Sequence, residues 1–413
     1  MSSGFSGVFK NRKFVYLWGS QIFSQLTVNF LTFVLLLRIY EQTRSTFATS
    51  FIWVSYALPA IIIGPFAASF VDLADRKKVL MTATVFQFLV VLLFSFVYEK
   101  YLYFSYLVVL GYSFFNQFYV PAEAASLPVV LNRKHLAYGN GLFFLTQQAA
   151  LAAGFGIAGV LNEFLGFGVT LFISACFLLG AFVCVSLLPS MKVSKIKALD
   201  FENRVREFFK QIFEGYSFLK AQRRILMAFG LLLTLQVSVA VLTTNLPVIA
   251  GQLLDVRTNL ASVYVVVPAG IGAVLGALTF PRMLSRKRVS KRNVIQLSLV
   301  LVTLVIWLLV FLEPMLERWS RITAGMILFL AAGFFFLGLI IPAQTFLQEN
   351  TPKQMMGRVF GNFWFLTTAA TVFPVIFSAT ITDVLGVGTL LLLLSCVSAG
   401  AFAFSTVYVR LTR

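Results

Sequence analysis

Two carboxylates and three cations fall within seven residues at Asp72, Asp75, Arg76, Lys77 and Lys78, between two long apolar runs. Such groups pair with one another, cap helix ends and set topology as a basic turn, so the chemistry they offer is charge pairing rather than bond making. Gly64 opens the stretch. Gly272, followed by Pro281–Arg282 and Arg286–Lys287–Arg288, repeats its spacing in the second half without the acids.

The remaining polar groups point to binding and proton transfer. None of the 15 Asp and Glu stands in the middle of an apolar run. Glu123, just after Pro121, is the best candidate for a carboxyl that takes up a proton, with Asp72 beside it. An ion pair with Arg133 or Lys134 is the other reading of Glu123. Gln21, Gln25 and Asn29 recur every fourth residue, which places three amides on one helix face. Unpaired amides are costly in lipid, so this face looks at protein or a water-filled cavity. Asn116, Gln117, Gln236, Asn245 and Gln344 add further amides. Trp53, Tyr119 and Trp364 offer rings to stack on a ligand, although among 46 Phe any one aromatic is more simply packing or lipid contact.

Catalysis finds little support. His135 is the only histidine, and Cys176, Cys184 and Cys396 have no zinc-type spacing and read as small buried apolar residues. No phosphate-binding glycine loop and no Ser/His/Asp set is found. The sequence therefore implies no enzyme, no metal and no cofactor.

The elements that must hold these residues are membrane helices. The chain of 413 residues is 59% hydrophobic and 12% charged, against about 25% charged in soluble domains. Twelve runs reach the ~20 residues a crossing needs: 14–38, 47–70, 79–98, 102–122, 140–162 and 168–189, then 225–250, 259–281, 293–312, 322–343, 359–382 and 387–409. The first run is too long for a cleaved leader and lacks a small-residue cleavage site. A link at 190–224 divides a bundle at 1–189 from one at 225–413. In that link Phe201, Val205, Phe208, Ile212, Tyr216 and Leu219 recur at three or four, which predicts an amphipathic helix on the inner membrane face.

Net charge is +18, and in a soluble protein that would suggest nucleic acid. Here the bases sit in short loops between apolar runs. Of the 33 Lys and Arg, only Arg38, Arg44, Lys100, Arg257, Arg318 and Arg321 lie on one side. Positive-inside topology then puts both termini in the cytoplasm of a multi-pass plasma (inner) membrane protein, with no nucleic-acid partner.

The halves echo each other. Arg12–Lys13 and Gln25 return as Arg223–Arg224 and Gln236, and Pro121–Ala122–Glu123 with Gly139–Asn140 parallels Pro342–Ala343–Gln344 with Gly361–Asn362. Two parallel six-helix repeats with substrate between them is a transporter plan. Gly154, Gly156 and Gly159, and Gly270, Gly272 and Gly276, read as small faces for close helix packing.

On the stretch Gly64, Asp72 and Asp75–Arg76–Lys77–Lys78, the sequence resembles the major facilitator superfamily over about residues 8–409. Pro121–Ala122, Pro128 and Gln348–Glu349–Asn350–Thr351–Pro352 with Gly357–Arg358–Val359–Phe360 make it most similar to the branch of macrolide efflux pumps and enterobactin-type siderophore exporters. Leu73 and Asp75 depart from the family's usual loop. The resemblance implies an all-α integral membrane fold of twelve transmembrane helices in two pseudo-symmetric six-helix bundles. It implies that Asp72 meets the start of the eleventh helix near Arg358 and locks one conformation, with Gly64, Asp75, Arg76 and Lys77 shaping that hinge. It also implies that the first, fourth, seventh and tenth helices line the cavity. The expected function is alternating-access efflux, driven by a proton gradient, of a drug-like or siderophore-like small molecule by a monomer in the lipid bilayer. A lysophospholipid flippase is the alternative, and a non-transporting membrane sensor that engages a partner through 200–222 is a third reading.

Overall fold

The computed structural model describes residues 8–132, 135–191, 200–285, 290–352 and 355–411, and no strand occurs among them. Its helices are α1 (Arg12–Thr43), α2 (Thr46–Ile62), α3 (Gly64–Leu73), α4 (Arg76–Val97), α5 (Phe104–Val130), α6 (Leu136–Ser186), α7 (Asp200–Ala221), α8 (Arg223–Thr244), α9 (Val267–Ser285), α10 (Lys291–Trp307), α11 (Arg318–Asn350), α12 (Met356–Leu385) and α13 (Val387–Leu411).

Eight of the described helices are long and apolar enough to cross a membrane, or nine when the bent pair α2–α3 counts as one span. That pair bends by 51° around Gly64. Pro65 stands in the first turn of α3 and lacks the N–H that would continue the ladder from α2. The segment Tyr138–Ser186 runs for 49 residues, more than twice the ~20 that span a bilayer. Its backbone breaks at Gly166, with φ 80° and ψ 170°, so it crosses twice. α5 and α13 complete twelve crossings, α5 diluted by Asn116 and Gln117 and by two internal prolines.

The connection between the eleventh and twelfth crossings is made by Gly386, with φ 83° and ψ 163°. Gly166 and Gly386 thus hold nearly the same left-handed conformation, which a Cβ would oppose. They stand in the matching sequences Leu165–Gly166–Phe167–Gly168 and Leu385–Gly386–Val387–Gly388. The repeat is visible here in the backbone itself.

The chain forms two compact units: residues 1–39 with 51–211, and residues 40–50 with 212–413. In the first, Phe14, Leu17, Leu80, Tyr119, Ala122 and Leu127 belong to one buried cluster. In the second, Leu219, Phe229, Leu299, Leu339, Leu347 and Val359 belong to another. Large apolar side chains such as Leu93, Phe96, Phe164 and Phe373 are exposed, as expected where lipid replaces water.

Glycine packing is closest in the second unit. A methyl group at Gly272 would lie 1.8 Å from the Leu330 carbonyl oxygen, and one at Gly333 would lie 1.9 Å from that of Ala269. α9 and α11 therefore touch backbone to backbone. In the first unit Gly154 leaves room for Asn29, whose Cβ would be 2.6 Å from an added methyl.

Two expectations are corrected. The fourth crossing continues to Val130 and the tenth runs Arg318–Asn350, so Pro121 and Pro342 stand inside helices rather than at their ends. Cys176 and Cys396 are exposed, and Cys184 is only half-buried. The amphipathic segment forms a helix, α7, with Leu219 buried and Phe209, Phe213 and Tyr216 exposed.

Candidate functional site

Extending α5 past residue 122 places Glu123 about two turns inside the helix. The side chain is buried, with 6% exposure. Tyr119, one turn earlier on the same face, donates from its phenol to Glu123 Oε1 at 3.0 Å. The same phenol oxygen lies 2.6 Å from Ser20 Oγ on α1, and either of those two groups serves as donor. Ser20 and Tyr119 are fully enclosed. The result is a chain Ser20–Tyr119–Glu123 that links two helices, with no cation paired to Glu123 among the described residues. Arg133 and Lys134 lie outside those residues.

This chain has a definite logic. An ionised Glu123 accepts only, so the hydrogens run from Ser20 through Tyr119 to the carboxylate. A protonated Glu123 gains a donor, and the order can reverse. The protonation state of one side chain thus sets the hydrogen-bond direction between α1 and α5.

A second polar chain lies earlier on α5, before Tyr119. Asn116 Nδ2 donates to the Tyr56 hydroxyl of α2 at 2.9 Å, and its Oδ1 accepts from Gln87 Nε2 of α4 at 3.4 Å. Ser113 Oγ donates to the Tyr56 carbonyl at 2.6 Å. Gln117 Nε2 donates to the Ser113 carbonyl at 3.1 Å, and its Oε1 lies 3.6 Å from the position of a methyl on Gly64. These bonds cross-brace three helices through groups that would otherwise be orphaned in an apolar setting.

On α1, Gln21 donates through Nε2 to the Phe143 carbonyl at 3.1 Å, while its buried Oε1 has no partner among the described residues. Asn29 turns back to the Gln25 carbonyl at 2.7 Å. Gln25 itself is half-buried. In the second unit, Asn245 caps the end of α8 and its Nδ2 reaches Val241 O at 2.8 Å and Ser378 Oγ at 3.2 Å, with Oδ1 buried and unmatched among the described residues. Gln236 and Gln344 are half-buried.

The charged hinge divides in two. Asp75 is the N-cap of α4 and accepts from the Lys77 N–H at 3.1 Å. It also accepts from Ser190 Oγ at 2.7 Å and the Met191 N–H at 3.1 Å. Partial burial opposes its charge, but the bonds from Ser190, Met191, Lys77 and Lys78 outweigh it and hold the carboxyl below its ordinary range. Lys77 Nζ donates to the Ser186 carbonyl at 2.7 Å, and the buried Nε of Arg76 has no partner among the described residues. The side chains of Asp72 and Arg358, the other members of the expected lock, lie outside those described.

Sequence reasoning had no route to Ser20 or Tyr56 as members of these chains. Gln87 did carry a signal, as the lone amide in the third apolar run. In sequence, Tyr119 reads only as a ring that could stack on a ligand. Among the described residues no group of three or more His, Cys, Asp or Glu is placed to hold a metal.

Comparison with known proteins adds the wider context. The model of the Major Facilitator Superfamily matches residues 17–374. The MFS-type transporter YfiS of Bacillus subtilis (strain 168) is 25% identical over 370 residues, 88% of this chain and 85% of that one. YjbB, another MFS-type transporter of that strain, is 30% identical over 180 residues, 42% of each chain, so that match spans less than half of the relative. The crystal structure of a mutant of the nucleoside transporter NupG superposes with a TM-score of 0.72 at 16% identity, covering 96% of this chain and 99% of that one. Another NupG crystal structure gives 0.69 at 14% identity, covering 96% of this chain and 98% of that one.

Proposed function

We propose, because the chain belongs to the Major Facilitator Superfamily, that this membrane transporter couples the efflux of a drug-like or siderophore-like small molecule to proton entry. The family membership makes it a multi-pass carrier of small molecules. The observation that supports proton coupling is the buried chain Ser20–Tyr119–Glu123. An ionisable group within a membrane span is a functional site by default, and this one has a hydroxyl relay to a neighbouring helix.

Alternating access is the proposed mechanism. Glu123 takes a proton from one side of the membrane and gives it up to the other, and Tyr119 passes the change to α1. The half-buried amides Gln25, Gln117, Gln236 and Gln344 are the proposed substrate contacts, whereas Gln21, Asn29, Asn116 and Asn245 serve first as helix braces. We place Asp72, with Gly64 and Arg358, at the conformational lock, and Asp75, Arg76 and Lys77 in the turn that supports it. Both termini face the cytoplasm in this reading, and the monomer is the working unit.

The test is efflux in everted membrane vesicles energised by an imposed pH gradient. Wild-type protein should accumulate substrate only with the gradient, and Glu123→Gln should remove that dependence. Gradient-driven accumulation at the wild-type rate in Glu123→Gln would end the assignment.

A further inference from the structure

From Ile212 on, α7 belongs to the second unit. It is not one of the described helices that are long and apolar enough to cross a membrane, but α8 is, and only Gln222 stands between them. Gln222 turns the backbone there, with φ −118° and ψ 84°. The membrane span begins at Arg223, so the last turns of α7 lie at the level where that span enters.

One side of these turns is fastened to protein. Leu219 is buried in the core cluster of the second unit, with Phe218 packed against it. The Ile212 carbonyl accepts from Asn362 Nδ2 of α12 at 2.8 Å. The other side is open. Phe213 is 69% exposed and Tyr216 54% exposed, and Lys220 is exposed as well. Spacings of three and four put all three on one stripe of the helix. Arg223 and Arg224 follow, both exposed. Glu214 is the one acid in 212–224, and it stands about 100° round the helix from Phe213.

We propose that this stripe seats on an anionic bilayer surface. Phe213 and Tyr216 enter the boundary between head groups and acyl chains, and Lys220, Arg223 and Arg224 bind lipid phosphates. Aromatic rings beside cations at the start of a span are the groups that hold a helix in the plane of the interface. Depth decides for lipid over a protein partner, since a stripe next to the first turn of a span meets the membrane surface. Charge decides for anionic lipid, because each base near such a surface adds about 1 kcal/mol. In the proposed orientation the surface is that of the inner leaflet. The inference needs α8 as a span, and neither proton coupling nor a substrate.

The test uses the purified full-length protein in nonionic detergent mixed with lipid. Cys176, Cys184 and Cys396 are replaced by Ser, and Ser217→Cys, exposed beside the stripe, carries an environment-sensitive fluorophore that leaves both rings in place. Brominated phosphatidylglycerol should quench the label at a mole fraction roughly fivefold or more below that needed with brominated phosphatidylcholine, the ratio that about 1 kcal/mol gives. Lys220→Gln/Arg223→Gln/Arg224→Gln should bring the two lipids level. About 1 M salt should do the same to the unsubstituted stripe, which covers the case in which the triple variant fails to fold. Quenching by neither lipid, equal quenching by both at low salt, or a phosphatidylglycerol preference that survives high salt or the triple substitution overturns the assignment.

Discussion

Tyr119 gives its phenolic hydrogen to Glu123 Oε1 at 3.0 Å while standing 2.6 Å from Ser20 Oγ on another helix. Replacing Tyr119 by Phe keeps the ring in its apolar cluster and removes only the relay. Gradient-driven transport should fall about tenfold or more, on the scale of a hydrogen bond to a charged group. Thermal stability should drop far less than it does in Tyr119→Ala, and counterflow under equal pH should be affected least. Equal losses in driven transport and counterflow would mark Tyr119 as structural.

Asp75 offers a pH test with a fixed sign. Its folded carboxyl lies below the ordinary value of 3.8. Stability from a lowered carboxyl is fully present above the unfolded value and is lost as pH falls through the folded one. The difference in melting temperature between the wild type and Asp75→Asn should therefore stay flat from about pH 5 to 8 and narrow only below about pH 4. A gap that opens or closes near neutrality would mean that Asp75 titrates in the working range.

The glycine contacts separate two substitutions that look alike in sequence. Gly272→Ala puts a methyl 1.8 Å from the Leu330 carbonyl oxygen, and backbone does not yield cheaply. A loss of about 1–3 kcal/mol or more is expected. Gly230→Ala on α8 meets nothing within 4 Å and should be neutral or gain about 0.5–1 kcal/mol from helix propensity. Melting in detergent, followed by fluorescence-detected size exclusion, ranks the two. The opposite order would contradict the α9–α11 contact.

Arg38 is held at the end of the first unit by two rings. Its guanidinium carbon lies 4.8 Å from the Tyr98 ring centre and 4.6 Å from that of Phe167, and Nη2 donates to the Tyr98 carbonyl at 2.7 Å. Arg38→Lys keeps the charge but not the flat group, and should lose about 1 kcal/mol. Arg38→Ala should lose about 2 kcal/mol. Equal melting of all three proteins would show that the ring sandwich contributes nothing.

The crossings were legible because hydrophobicity over ~20 residues is a strong signal, and the doubling because charged hinges and proline pairs recur at matched spacing. Helix ends were less so: Pro121 and Pro342 stand near the ends of the apolar runs 102–122 and 322–343, whereas α5 and α11 continue through them. Proline inside a membrane helix is tolerated because neighbouring groups satisfy the freed carbonyl, which a linear reading does not include. The site was half legible. Glu123 could be picked from its place in the chain, but Ser20 lies 99 residues from the tyrosine it meets, and a serine in an apolar run carries no mark of its partner.

Substrate and proton compete through Glu123 in the proposed cycle. The direct measurement is proton release from purified protein in weakly buffered detergent solution on adding macrolides, catecholate siderophores, nucleosides or lysophospholipids, with tryptophan quenching to report binding. One class should quench saturably and release protons from the wild type, and Glu123→Gln should bind that class without release. Release of the same size from Glu123→Gln, or saturable binding by the wild type with no release, would contradict it.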